Sequence, residues 1–446
     1  MFKKISGSSG YKDPEVLVGL DLGTSKVTVV VAEREGPSGE AQIIGIGQAP
    51  SQGIRKGLIV NIDQTVRSLR HAIEDAENMV GLDLTEATVA FSGGDVLSVR
   101  TQGMIALGRA PRTVMQFDIE RVIESAQANV SVPSGKMILH TIPVEYSLDG
   151  NSGIDDPLGM TATRLDMELE SVIVPVAMVQ NVRNCVTRAG LEVSGLVIKP
   201  LASALGALTP EESVVGSTVV DIGGGTCGIA VFVEGRPKHL AVVSVGGDHI
   251  TNDVATVLKL PINRAEEIKK EVDMFSDTDS NQPENLEFDH MGRNYSYSKA
   301  DLTDIVQCRV EELFSVYIKG EIAAAGVSIL PGGLVITGGV SKSASIDHYL
   351  ARIMNMPVRV SLPLDSDRMP PTRNGPEYTC AAGIIRYVLE QERDQFRFID
   401  NSFDPATAIS SDSSGNGYGK NIDRGGKRPP KEPFFQSIIN LFKELF

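Results

Sequence analysis

No two of the four cysteines (Cys185, Cys227, Cys308 and Cys380) stand at Cys-x-x-Cys spacing, and three of them lie inside apolar runs. This points away from a disulfide framework and predicts reduced, buried thiols in a cytosolic protein. The six histidines include no pair at metal-ligand spacing, so no structural metal is expected. Positive charge is in deficit: 42 Lys and Arg against 57 Asp and Glu give a formal net charge of −15. That argues against nucleic acid as the main partner, because phosphate neutralisation needs a basic surface. It does not exclude a nucleotide, which a few backbone amides can hold. No run approaches the roughly 20 apolar residues that a membrane-spanning helix needs, so any membrane contact must be peripheral. Residues 1–14 carry three lysines but no apolar stretch of signal-peptide length, and are expected to be a disordered tail. What remains is 446 residues, 41% of them hydrophobic, enough for about three domains of globular α/β structure.

The chain is organised around residues 218–233, where two apolar runs flank Asp221, Gly223, Gly224, Gly225 and Thr226. This reads as strand, tight turn, strand. Glycines without Cβ let successive N–H groups converge on an anion such as a phosphate, and Asp221 at the strand edge is placed to meet a cation or its bound water. The same pattern occurs at 16–31, where Asp21 matches Asp221 and Gly23 matches Gly223, 200 positions apart. Two copies imply two similar lobes. The spacing Gly223-x-Gly225-x-x-Gly228 also fits a dinucleotide-binding fingerprint, but that motif needs a helix after the glycines, and Ile229 to Val233 is another strand-like run. Either copy alone would equally suit a hairpin whose glycines serve only its turn.

In chain order, Ile62, Val66, Leu69 and Ile73 predict an amphipathic helix over 61–76, ended by Gly81. A buried strand follows at 87–91. From 96 to 169 the texture changes to a helix capped by Asp118 and a half-exposed strand in which Leu165, Met167 and Leu169 alternate with Arg164, Asp166 and Glu168. The buried style resumes at 172–175, so the intervening stretch reads as an insertion. In the second lobe, 261–270 is a charged helix that taken alone is a solvated face, 277–292 is a polar surface excursion, and 301–325 is a helix with Ile305, Val306, Val310, Leu313, Ile318 and Ile322 facing inward. A third glycine turn follows a strand at Gly338 and Gly339. Residues 401–432 lack apolar periodicity and are expected to be a disordered tether spanning roughly 30 Å. The last residues place Phe435, Ile438, Ile439, Phe442, Leu445 and Phe446 on one helical face. Such a helix is about 20 Å long, short of a hydrocarbon core of about 30 Å, and suits the plane of a membrane interface.

With these motifs in hand, the chain resembles the actin/Hsp70/sugar-kinase superfamily and, within it, the FtsA family of bacterial cell-division proteins. The narrower resemblance rests on Gly53-Ile54-Arg55-Lys56-Gly57 with Asn61-Ile62-Asp63, on 142–150 with Asp156-Pro157-Leu158-Gly159-Met160, and on the tethered amphipathic end. It implies a two-lobed actin-like ATPase fold with duplicated mixed β-sheet cores: subdomain 1A from 15–95 and 170–198, an inserted subdomain 1C at 96–169, subdomain 2A from 199–247 and 332–400, and subdomain 2B at 248–331. It further implies ATP held by Gly23, Thr24, Ser25 and Lys26 from one lobe and by Gly223, Gly224, Gly225 and Thr226 from the other. Asp21 and Asp221 would orient a water-coordinated Mg²⁺. Glu266 and Lys269 would meet the ribose, and Gly338 and Gly339 the nucleoside, with Ser341 and Lys342 nearby. Residues 379–387 would form the second interlobe connection, with Gly383 allowing close helix packing.

The implied role is a self-polymerising scaffold at the division septum, on the cytoplasmic face of the inner membrane. Phe434, Phe435, Ile438, Ile439, Leu441, Phe442, Leu445 and Phe446 would enter lipid, the C-terminal peptide of FtsZ would dock on 2B, and later division proteins on 1C. Two departures from the family pattern stand out. Lys199 precedes Pro200 where hydrolytically active relatives carry a glutamate, so hydrolysis is expected to be slow at most; a protonated lysine cannot accept a proton from water. Glu170-Ser171 stands where a histidine is common. A pilus-assembly protein of the PilM type, or a small-molecule kinase of the same superfamily, is the competing reading.

Overall fold

Each glycine turn joins two antiparallel strands, and the two hairpins share one register. In the first, Glu15–Leu22 pairs with Lys26–Arg34 so that Leu22 opposes Val27 and Asp21 opposes Thr28. In the second, Ser217–Ile222 pairs with Cys227–Val233 so that Ile222 opposes Cys227 and Asp221 opposes Gly228. A third antiparallel strand extends each hairpin on one side, Ala41–Pro50 or Arg236–Val243. Two parallel strands extend it on the other: Glu86–Phe91 and Glu192–Ile198 in the first half, Leu334–Thr337 and Val358–Val360 in the second. The result is two mixed five-stranded sheets with the same strand order. The computed structural model describes residues 15–36, 40–276, 285–290, 293–327 and 329–402; the expected N-terminal tail, residues 403–432 of the tether, and the terminal helix with its membrane-facing side chains lie outside the described residues.

The central strands are covered on both faces, which is why they read as unbroken apolar runs rather than alternating ones: Val29, Val30, Val31 and Ala32 are all fully buried. The expected helix is Ile62–Val80. Asn61 Oδ1 accepts from Gln64 N at 3.0 Å to cap its start, and Gly81 at φ 71° ends it in the left-handed conformation. It lies directly on the sheet: a Cβ at Gly47 would sit 2.2 Å from the Ala72 carbonyl oxygen. One core runs from Leu20, Val29, Leu69 and Leu196 to Val219, Phe232 and Val335, so it joins the two sheets. A second, with Ile229, Val254, Ile268, Leu302, Phe314 and Leu350, belongs to the second half alone.

Two equivalent helices, one after the last strand of each sheet, cross between the halves. Lys199–Ala207 and Thr379–Arg393 pack so closely that a Cβ at Gly383 would lie 1.8 Å from the Ala202 carbonyl oxygen, and one at Gly206 2.2 Å from that of Thr379. Glycine at these positions is what lets the two backbones touch.

Between the fourth and fifth strands of the first sheet stands a separate sheet of Asn151–Ile154, Lys136–Leu148, Arg164–Pro175 and Leu97–Ala106, covered by the helix Gln116–Gln127. Its core contains Ile105, Val122, Ile123, Tyr146, Leu165, Met167 and Leu169, in agreement with the alternation at 164–169. Pro143, which has no N–H for the ladder, lies at a register shift against Glu168 and Leu169. The alternation then fails at Glu170, which is buried although charged. Ser98 Oγ donates to it and Arg100 Nε lies 3.3 Å away. Burial pushes its carboxyl up, with Ser98 and Arg100 opposing. Ser98 Oγ also accepts from Leu240 N at 3.3 Å, so Glu170 anchors this sheet to the second half.

Five expectations are modified. Asp118 is not the cap of its helix but a residue of its first turn, where its carboxylate accepts from Met115 N at 3.0 Å, Met115 being the capping residue. Cys185, Cys227 and Cys380 are buried thiols, but Cys308 is exposed. The polar excursion expected at 277–292 includes the first strand of a hairpin that runs beyond it, Asn285–His290 with Arg293–Ser298, in which Leu286 and Tyr297 pack against the second core. The helix over 301–325 is three pieces, Lys299–Glu312, a π-helical stretch Leu313–Ile318, and Lys319–Ala324. The start of the tether is held: Asn401 N donates to the Leu139 carbonyl at 2.9 Å and Asn401 Nδ2 to Thr141 Oγ1 at 2.8 Å.

Candidate functional site

The strand ends that carry Asp21 and Asp221 open on a cavity of about 630 Å³, within the usual range for a small-molecule site. Of the residues singled out in the sequence, Asp21, Gly23, Thr24, Ser25, Lys26, Asp221, Gly223, Gly224, Thr226, Glu266, Lys269, Gly338, Gly339 and Lys342 line it. Gly225 and Ser341 do not, each for a definite reason. A Cβ at Gly225 would fall 2.7 Å from Thr24 Oγ1 and 3.0 Å from the Lys56 Cα, so this glycine is where the two turns abut. Ser341 is buried and its Oγ donates back to the Gly338 carbonyl at 2.7 Å.

The two halves meet along this seam. Thr24 Oγ1 accepts from Gly57 N at 3.1 Å, which brings the segment Gly53 to Gly57 against the first turn. Ser92 Oγ and Thr226 Oγ1 lie 3.3 Å apart, and a Cβ at Gly224 would be 3.2 Å from that of Ser25. Behind the second turn, Gly247 N and Asp248 N donate to the Gly223 and Gly224 carbonyls at 2.9 and 2.8 Å, which docks the start of the helix Gly247–Val257 at the cavity wall. Gly338, at φ 89°, takes a conformation that L side chains rarely adopt, and a Cβ there would lie 2.4 Å from Asp221 Oδ1.

Glu266 and Lys269 are not on a solvated face. Lys269 Nζ lies 2.5 Å from Glu266 Oε2 and donates to the Gly247 carbonyl at 3.1 Å and to Thr251 Oγ1 at 2.9 Å. Burial raises the Glu266 pKa, but bonds from Lys269 and Thr251 hold the carboxyl below its usual range. Lys26 Nζ sits 3.5 Å over the Tyr378 ring, and burial pulls its pKa down to about 8 against the opposing pull of Glu377 and Asp21. Lys342 Nζ donates to Glu377 Oε1 at 2.7 Å and is largely exposed.

The glycine turns fit a phosphate chain. Gly23, Gly223, Gly224, Gly225 and Gly338 leave amide backbone where a side chain would intrude, Gly339 borders open space, and Lys26, Lys199, Lys269 and Lys342 all face the same cavity. At its far end Ile250, Val272, Met274, Phe275, Val306 and Val340 form an apolar wall suited to a flat ring. The two aspartates fit a divalent ion less well than the sequence led us to expect. Asp21 Oδ1 lies 2.5 Å from Lys199 Nζ, and Asp221 Oδ2 accepts from Ser203 Oγ at 2.6 Å. Among the described residues no group of three or more His, Cys, Asp or Glu is arranged to hold a metal.

Sequence reasoning missed Gln48, Ser92, Asp248, Glu377, Tyr378 and the wall of Met274 and Phe275. The pair Gly246-Gly247 ahead of a helical run was a readable signal for Asp248. The others carry no local signature.

Comparison with known proteins agrees with this geometry. The family model for cell division protein FtsA matches residues 218–383, and that for the SHS2 domain inserted in FtsA matches 93–173. The cell division protein FtsA of Pseudomonas aeruginosa is 36% identical over 383 residues, covering 85% of this chain and 91% of its own. Its counterpart in Bacillus subtilis is 34% identical over 387 residues, covering 86% of each. Among solved structures, the PilM-PilN type IV pilus biogenesis complex aligns at TM-score 0.59 with 17% identity, covering 83% of this chain and 98% of the matched one. MreB5 of Spiroplasma citri bound to ADP aligns at TM-score 0.50 with 14% identity, covering 85% and 98%. At such identities the structural likeness shows the fold alone, which is actin-like. With two duplicated sheets, an inserted domain and relatives above 30% identity over most of its length, the chain belongs to the FtsA family of bacterial cell-division proteins.

Proposed function

We propose that this chain is an ATP-binding, self-polymerising cell-division scaffold that works at the cytoplasmic face of the membrane at the septum. The observation that carries the nucleotide part is the seam itself: two glycine turns from opposite halves abut at Thr24 and Gly225, beside a cavity lined by five lysines. A triphosphate held by both turns fixes the angle between the halves, and with it the surfaces that successive subunits present to each other. Solved MreB5 structures carry ADP or AMPPNP in this fold, which supports the reading.

In this reading 15–95 with 170–198, and 199–247 with 332–400, are the nucleotide-clasping subdomains, 248–331 receives the FtsZ C-terminal peptide, and 96–169 meets later division proteins. Lys199 stands where hydrolysis would need a proton acceptor, so the protein holds ATP rather than turning it over rapidly. The terminal amphipathic residues, Phe434 to Phe446, supply a weak membrane anchor that polymerisation multiplies by avidity. Titration calorimetry with ATP tests the cleft; no uptake of the nucleotide overturns it. Removing residues 434–446 is expected to abolish liposome co-sedimentation while ATP binding persists, and unchanged sedimentation overturns the anchor.

A further inference from the structure

We infer that Lys199 supplies, as a tethered ammonium, the positive charge that a divalent ion would otherwise bring to the terminal phosphates, so that a nucleoside triphosphate enters this cleft without needing a metal. The inference rests on the nucleotide reading above and concerns how the charge of the phosphates is met.

Lys199 is the first residue of a helix that crosses between the halves, fixed by Ile198 at the end of a buried strand and by Pro200 in the first turn. Its side chain is 14% exposed, and its Nζ lies 2.5 Å from Asp21 Oδ1. A Cβ at Gly23 would be 3.7 Å from that same nitrogen, so the ammonium stands inside the first phosphate turn. It is therefore in the place where an ion bridging Asp21 to a phosphate would have to sit. Asp221, the equivalent carboxylate of the other half, is occupied by Ser203 Oγ at 2.6 Å.

Putting a divalent ion beside Asp21 would displace the ammonium and leave it buried without its partner, an arrangement that proteins avoid strongly. Leaving the ammonium in place costs nothing of the kind. It carries three N–H donors, and one suffices for Asp21, so the others are available to phosphate oxygens. Burial works against the charged form of Lys199, and the neighbouring Asp21 carboxylate favours it and raises the pKa. Lys26, the other lysine of this turn, is pulled down to about 8 and cannot serve as dependably.

The test is ATP binding by titration calorimetry on the full chain, in EDTA and in magnesium chloride, for the wild type, K199R and K199M, with the thermal midpoint of each unliganded chain as a control for folding. The wild type is expected to bind in EDTA within about threefold of its affinity with magnesium, and K199R to behave alike. K199M is expected to bind about tenfold or more weakly in EDTA and to recover with magnesium, because the vacated place beside Asp21 then admits the ion. A merely structural lysine would weaken both conditions equally, and that result overturns the inference. So does a wild type that binds only with magnesium. If K199M does not fold, the wild-type comparison alone decides. A wild type that binds ATP in neither buffer refutes the nucleotide reading itself, which is a different outcome from metal-dependent binding.

Discussion

The turn after Asp21 carries the side chains of Thr24, Ser25 and Lys26, whereas the turn after Asp221 carries none until Thr226, although the strands around both turns pair in the same register. The duplicated halves differ where they touch. Thr24 fills the space that a side chain at 225 would need, so one turn offers hydroxyls and the other offers bare backbone. A symmetric pair of threonine-bearing turns would collide, and a symmetric pair of glycine-only turns would leave the seam unfilled. The interlobe helices behave differently: Gly206 and Gly383 are small on both sides, because there backbone meets backbone.

That contrast can be broken in graded ways. The largest effect is expected from G383L, since the added side chain has only the Ala202 carbonyl to move against; urea unfolding should show a loss of about 3 kcal/mol or more. A loss below about 1 kcal/mol would mean that the crossing helices separate freely. Next, G225V should weaken ATP binding about a hundredfold in calorimetry, and adding T24G should restore part of it, because the second change vacates the volume the first one fills. No rescue would show that the turns do not compete for that space.

A smaller effect distinguishes the two halves by charge. Lys26 has a depressed pKa of about 8 in the free protein, and an arriving phosphate favours its charged form. Affinity for ATP should therefore be full below that pH and fall as the pH rises above it, by at most about tenfold per unit. The K26R variant should stay flat from about pH 7 to 9.5, and a flat wild type would remove Lys26 from the phosphate site. The smallest effect is expected for K342A: its ammonium is more than half exposed and paired with Glu377, so affinity should change by less than about threefold.

The aligned pattern of apolar run, aspartate and glycines made both hairpins legible, and period-two alternation made the inserted sheet legible at 164–169. The same rules gave out where a side chain's surroundings are assembled from distant segments. Glu170 follows an alternating strand yet is buried, because Ser98 and Arg100 arrive from the neighbouring strand. The charged helix 261–270 taken alone reads as a solvated face, and only the family resemblance singled out Glu266 and Lys269, which face the cavity because the helix Gly247–Val257 is laid beside them. The hairpin at 285–298 begins inside the stretch 277–292 that reads as a polar excursion, although Leu286 and Tyr297 alternate with polar neighbours.

By itself, then, the sequence determined the two strand-turn-strand units, the strand periods and the glycines that let backbone approach backbone, since these depend on local sterics and on the order of polar and apolar residues. Only the tertiary structure decided which charges meet. The pairing of Lys199 with Asp21, the close approach of Thr24 to Gly225 and the burial of Glu170 arise from contacts between segments far apart in the chain, where distance and desolvation set the electrostatics and no spacing in the sequence records them.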